Sequence, residues 1–245
     1  MSIERTAQLY RSLRLPAIYQ GLDGLLAQAE ANPLSYLQFA QHLAEHEYTH
    51  RNRRRIELNC RKAAFPALKS LEEFDYCHQT TITKRQVNAL LDFGFIDNRQ
   101  NLIFIGPPGV GKTHLAIGIG QKALEGGYKV LFTTALALVE GLELAEIRGE
   151  LKRRIAALAK FDLLIIDELG YLPMVKQARY NLFQLVNTFY EYRSILLTTN
   201  KEFTAWGDFF HDDNVAVPIV DRLIHHSHIF LLGGESYRLM HKQKN

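Results

Sequence analysis

The sequence predicts an α/β protein: a five-stranded parallel sheet flanked by helices, preceded by a small all-helical domain. Three observations lead there. Five short apolar runs alternate with helical stretches from residue 101 onward. A glycine-rich string, GPPGVGKT, lies between the first run and the helical stretch that follows it. The N-terminal part instead reads as helical and rather polar. The expected boundaries are 1–70 for the helical domain, 71–100 for a linker and 101–245 for the α/β domain.

The chain opens on MSIERTAQLYRSLRL, whose charges leave no apolar core for a signal peptide. Asn32 and Pro33 read as a cap followed by a proline in a first turn, so a helix is expected from there. Tyr36, Phe39, Ala40 and Leu43 fall at i, i+3, i+4 and i+7, one face of that helix. It is expected to continue through HEYTHRNRRRIELNCRK. There Arg51, Arg54, Arg55, Leu58 and Lys62 share a face, and Arg53 and Arg61 add charge beside them. Such a stripe suits a phosphate backbone, held without reading its sequence. A solvated helix face or a protein contact is the plainer alternative. AAFPALKSLEEFDY is looser chain leading onward.

The strands are read at 101–105, 128–134, 161–167, 194–200 and 228–232, with KTHLAIGIGQKALEGG and ARYNLFQLVNTFYEYR among the helical pieces between them. Apolar strands alternating with helices imply a parallel sheet covered on both faces. Hydrophobic residues make up 47% of the 245, enough for a sizeable core. A formal charge of +3 and a pI near 8.8 permit a nucleic-acid partner without demanding one. Cys60 and Cys77 fit no zinc or redox spacing and read as free thiols. No apolar run approaches the roughly 20 residues of a membrane span, so a soluble, cytoplasmic protein is expected.

Gly106-Pro107-Pro108-Gly109-Val110-Gly111-Lys112-Thr113 fits G-x-x-x-x-G-K-[ST] in full. Its glycines let consecutive amides curl around phosphates, and the next helix points its positive end at the same anion. Lys112 would reach the β- and γ-phosphates, and the Thr113 hydroxyl would ligate Mg²⁺. Leu163 to Ile166 end in Asp167 and Glu168, an apolar strand finishing at the edge where α/β proteins bind ligands. Asp167 is placed to hold Mg²⁺. Glu168, directly after it, is placed to orient and deprotonate an attacking water, which suits a hydrolase and not a metabolite kinase. Alternatively Glu168 caps the next turn. Asn200 ends a third such strand, within reach of a γ-phosphate or a lytic water. Arg222 fits either an arginine supplied to a neighbouring subunit's phosphate or a surface residue paired with Asp221 or Glu202. Arg238, in SYR, is a further candidate for the nucleotide. HHSH at 225–228 reads as the approach to the last strand rather than a metal site.

Together these residues resemble the AAA+ ATPases and, within them, the IstB transposition helpers of insertion sequences and their relative DnaC, a helicase loader. FIGPPGVGKTHLA, DLLIIDELGYLP, ILLTTNKEF and VDRLIHHSHIFLLGGESYR carry the likeness in the core. LRLPAIYQGLDGLLAQA and YTHRNRRRIE look like IstB more than DnaC. The resemblance implies a Walker A motif from Gly106 to Thr113, with His114 after it, and a Walker B pair in Asp167 and Glu168. It makes Asn200 sensor 1, Arg222 an arginine finger acting in trans, and Arg238 the sensor 2 arginine. Residues 223–245 leave no room for a full helical lid, so the lid is expected to be reduced or absent.

The function expected on this resemblance is an Mg²⁺-dependent ATPase with ATP at the interfaces of a homo-oligomer. It would bind duplex DNA largely without sequence preference, and help a partner transposase select its target. A DnaC-like loader of a replicative helicase is the alternative. Glu168, Asn200 and the arginine run argue against a metabolite kinase.

Overall fold

The computed structural model describes residues 2–170, 175–206 and 213–242, and the chain divides into two units, Met1–Leu58 and Asn59–Asn245. The first unit holds α1 (Ile3–Ser12), α2 (Pro16–Ala31) and the larger part of α3 (Tyr36–Ala63). Ile18, Leu22 and Leu25 fall on one face of α2 and bury against Leu43 of α3, with Tyr10 and Phe39 packed around them. Pro16 sits at the start of α2, where its missing N–H is no loss. Leu15, before it, has no side-chain acceptor for the first amides of the helix. Glu47 of α3 supplies one: its Oε2 accepts the amides of Ala17 at 2.9 Å and Ile18 at 3.2 Å. Its Oε1 takes Arg51 Nε at 2.7 Å. Burial acts to raise the pKa of this carboxyl, but the bonds from Arg51, Ile18 and Ala17 outweigh it and hold the group below the ordinary 4.5.

The start of α3 differs from expectation. Asn32 closes α2, and α3 begins at Tyr36. The signal overlooked is Ser35-x-x-Gln38: Ser35 Oγ accepts the Gln38 amide at 3.2 Å, and Gln38 Oε1 accepts the Ser35 amide at 2.8 Å. This reciprocal box satisfies the helix start without Asn32. Nor do the four residues chosen by spacing share a buried face. Phe39 and Leu43 turn inward, whereas Tyr36 is 98% exposed and Ala40 is also exposed. The helix does run on through the arginines to Ala63.

In the second unit, residues 71–100 add Leu71, Phe74, Ile82, Val87, Leu90, Phe95 and Ile96 to a core beside the sheet. The stretch expected as a linker forms α4 (Lys84–Ala89), capped by a Thr83–Gln86 box, and the short α5 (Gly94–Asp97). The sheet comprises β1 (Asn101–Ile105), β2 (Val130–Thr134), β3 (Leu163–Leu169), β4 (Ser194–Thr199) and β5 (Ser227–Leu231). All pairings are parallel, in the order β2-β3-β4-β1-β5. The boundaries shift by up to two residues from those read in sequence.

Side chains of β1, β3 and β4 alternate between two buried faces. Leu102, Phe104, Ile165 and Leu196 face α6 (Lys112–Glu125) and the 71–100 segment. Ile103, Ile105, Ile166 and Leu197 join the opposite core, built with α7 (Ala135–Ile147), α8 (Leu151–Leu158), α9 (Lys176–Phe189) and α10 (Asp213–His225). Burial on both faces explains why these strands read as unbroken apolar runs. After β5 the described chain adds α11 (Tyr237–Lys242), a helix of six residues. No helix among the described residues is long and apolar enough to cross a membrane.

Candidate nucleotide site

Three strands deliver polar groups to one edge of the sheet. β1 runs into the loop from Gly106 to Gly111, β3 carries Asp167 and Glu168 just before its end at Leu169, and β4 leads to Asn200. β4 lies between β1 and β3, so the three endings adjoin. They border a cavity of about 710 Å³ lined by Pro108 to His114, Glu168, Asn200 and Arg238, among others.

The loop is tied from several sides. The Gly106 amide donates to the Thr199 carbonyl at 3.1 Å. A Cβ at Gly106 would lie 2.0 Å from the Leu232 carbonyl oxygen. Gly109 has φ +84°, and a Cβ there would lie 2.1 Å from Ser236 Oγ. Glycine is therefore required at both positions. Lys112 opens α6 and turns its ammonium back, donating to the Gly106 and Pro107 carbonyls, each at 2.7 Å. Burial lowers the pKa of this ammonium, Asp167 and Glu168 pull it back up, and Arg238 opposes them. His114 Nε2 meets the Ser70 carbonyl at 2.7 Å and its ring stands edge-on to Phe74.

Thr113 Oγ1 lies 2.9 and 3.1 Å from the two oxygens of the buried Asp167 carboxylate. Thr198 of β4 donates its hydroxyl to Asp167 Oδ1, and Thr198 Oγ1 in turn accepts the Glu168 amide at 3.0 Å. Here β3 carries one residue more than its partner: Ile166 pairs with Leu197, and Leu169 with Thr199. This bulge turns Glu168 out of the alternation. Its φ is +64°, and it is exposed between buried Asp167 and Leu169. A left-handed conformation costs an L-residue about 1–2 kcal/mol. Sequence reading placed the acid here; it did not foresee the bulge that aims it into the cavity. Asn200 lines the cavity, and its Oδ1 is buried with no hydrogen-bond partner among the described residues.

These donors suit Mg²⁺ with a polyphosphate. A hydroxyl and a carboxylate are hard oxygen ligands. No group of three or more His, Cys, Asp and Glu side chains forms a metal cage among the described residues. Mg²⁺ is usually held by one or two carboxylates plus phosphate and water, which is what Thr113 and Asp167 allow.

Of the other candidates, Arg238 reaches the cavity through α11, whose first amide, Tyr237 N, donates to the Gly109 carbonyl at 3.1 Å. Arg222 lies elsewhere. Its guanidinium donates to Asn187 Oδ1 at 3.1 Å and the Pro218 carbonyl at 3.0 Å, and it lies over the rings of Phe183 and Tyr190. Among the histidines near it, His225 bonds Tyr190 and His228 bonds Gln100. In the first unit, Arg51 is engaged by Glu47 and by the Arg14 carbonyl, Arg53 pairs with Glu57 at 3.3 Å, and Arg55 bonds Asn52. Arg54 is exposed on the same helix. Arg61 and Lys62 are exposed near the end of α3, in the second unit. Sequence reasoning missed Thr198, Gln79 and Ser236. Thr198 was visible as the first threonine of the LLTTN ending and Ser236 as the first residue of SYR; Gln79 carried no local signal.

The family described as IstB-like ATP binding protein matches residues 8–245. A Geobacillus stearothermophilus protein named as an ATP-binding protein of insertion sequence IS5376 is 39% identical over 240 residues, 98% of this chain and 96% of its own length. A Pseudomonas aeruginosa protein named likewise for insertion sequence IS21 is 39% identical over 236 residues, 96% of this chain and 89% of its own. Among solved structures, the DnaC helicase loader superposes with a TM-score of 0.53 at 19% identity, over 60% of this chain and 86% of that one. AMPPCP-bound DnaA from Aquifex aeolicus gives 0.54 at 20% identity, over 74% of this chain and 55% of that one. At such identities the superpositions speak for the fold.

Proposed function

Because the chain belongs to the IstB-like ATP binding protein family, we propose that it is an Mg²⁺-dependent ATPase that assembles on duplex DNA and assists a partner transposase. The observation that carries the hydrolytic part is Glu168, turned by the β3 bulge into the cavity that holds the phosphate-loop residues. In this reading the loop amides and Lys112 bind the triphosphate. Thr113 and Asp167 hold Mg²⁺, which neutralises charge on the phosphates. Glu168 takes a proton from the attacking water while Asn200 Oδ1 helps to orient that water. Arg238 adds a cation from α11. Arg222, outside its own subunit's cavity, serves a neighbouring protomer.

Duplex DNA enters through charge. Arg53, Arg54 and Arg55 are exposed on α3, and contacts of this kind give affinity without sequence preference. Arg51 is the least available of the run, since Glu47 and the Arg14 carbonyl engage it. The transposase role is supported by the insertion-sequence names of the relatives and by near full-length coverage of the chain.

The deciding experiment is ATPase rate with and without long duplex DNA, with single strands as control and particle size followed in ATP and in ADP. Duplex-stimulated hydrolysis and ATP-dependent assembly are expected. Stimulation by single strands alone would favour a helicase loader, and a monomer indifferent to DNA would sink the reading.

A further inference from the structure

Gln79 lies between α3 and α4, 3% exposed, and its amide is fully engaged. Nε2 donates to the Val110 carbonyl and to the Gly233 carbonyl, both at 3.0 Å. Oε1 accepts the Thr81 amide at 3.0 Å and the Thr81 hydroxyl at 2.7 Å. Thr81 Oγ1 in turn accepts the Gly233 amide at 3.1 Å, which closes the network.

The three segments joined this way all bear on the cavity. Val110 belongs to the phosphate loop. Across a trans peptide the carbonyl of one residue and the N–H of the next point in opposite directions. Holding the Val110 carbonyl therefore fixes where the Gly111 amide points. Gly233 follows β5 and begins the segment that carries Tyr237 and Arg238 to the cavity. Tyr237 closes that segment onto the loop through the Gly109 carbonyl. With Lys112 on the Gly106 and Pro107 carbonyls, four loop carbonyls are engaged from outside the loop backbone. An apolar side chain in place of Gln79 would fill the same volume and orient none of this.

We infer that Gln79 is a positioning residue: one buried amide aims the phosphate loop and fastens to it the segment bearing Arg238, so that both meet a polyphosphate already assembled. This rests on the nucleotide reading of the cavity. The test uses Gln79→Leu, which removes all four bonds of the amide, and Thr81→Val, at an exposed position, which removes two bonds of the network and spares the fold. Amide exchange at Gly233 and Tyr237, without nucleotide, is expected to accelerate in both. Affinity for a fluorescent ATP analogue is expected to fall about tenfold in Gln79→Leu. The fall should be smaller when Arg238→Ala is already present, because the two residues then act through one arrangement. Unchanged exchange and affinity in Thr81→Val, or equal losses with and without Arg238, would overturn the inference. Should the wild-type protein bind no nucleotide, the nucleotide reading and the positioning role fail together, while the exchange rates still report whether Gln79 fastens the segment.

Discussion

The hydroxyl of Thr198 hydrogen-bonds the carboxylate of Asp167 and, with the same oxygen, takes up the amide of Glu168 at 3.0 Å. One threonine on β4 thus sets the orientation of both acids on β3. Thr198→Val keeps the shape and removes both bonds. Leaving buried polar groups without partners costs about 1–3 kcal/mol, so kcat is expected to fall about tenfold or more. Binding of the ATP analogue should change much less. Steady-state hydrolysis beside equilibrium binding checks this, and a loss confined to binding would contradict it.

Glu168 and Arg222 belong to different active sites in the proposed assembly, and mixing shows it. Glu168→Gln and Arg222→Ala are each expected to lose hydrolysis, by about a hundredfold for a missing general base and about a thousandfold for a missing arginine finger. In a mixture, some interfaces pair an intact Glu168 with a neighbour's intact Arg222, and activity returns in part. A mixture as inactive as its components would show that Arg222 does not act in trans.

The two glycines of the loop should fail differently. Gly106→Ala meets a backbone carbonyl, that of Leu232, which has nowhere to go. Gly109→Ala meets the Ser236 side chain but must also hold φ +84°. Both lose nucleotide binding. Gly106→Ala is expected to show the larger drop in melting temperature, measured by thermal denaturation without nucleotide.

Glu47 ties stability to pH. Its folded pKa lies below the ordinary 4.5, so the unfolded chain takes up its proton first as pH falls. The stabilisation is complete above pH 4.5 and is lost as pH drops through the lower, folded value. Glu47→Gln should flatten the melting temperature over that window and cost about 1–3 kcal/mol at neutral pH. An unaltered pH profile would assign the acid sensitivity elsewhere.

The core of the second unit was legible because strands buried on both faces cannot hide among polar residues. The phosphate loop was legible because its glycines are fixed by sterics at Gly106 and Gly109. Asp167 and Glu168 were read at a strand ending, but the bulge that separates their directions is a property of the β3–β4 pairing, which no local pattern records. Residues 71–100 read as a linker because apolar side chains such as Phe74 and Ile82 follow neither helical nor strand spacing; they join a core supplied by distant elements. The start of α3 differs from expectation because the Ser35–Gln38 box, two residues after Pro33, satisfies the first amides of the helix.

Lys112 at rest occupies the Gly106 and Pro107 carbonyls at 2.7 Å. In the proposed reading, a polyphosphate arriving in the cavity would not meet a bare cation; it would trade places with two oxygens the lysine already holds. Affinity would then be the difference between an ion pair and two charge-assisted hydrogen bonds to carbonyls, and departing product would leave no stranded charge behind. Such an exchange favours a switch that lets go of its nucleotide over a vault that keeps it.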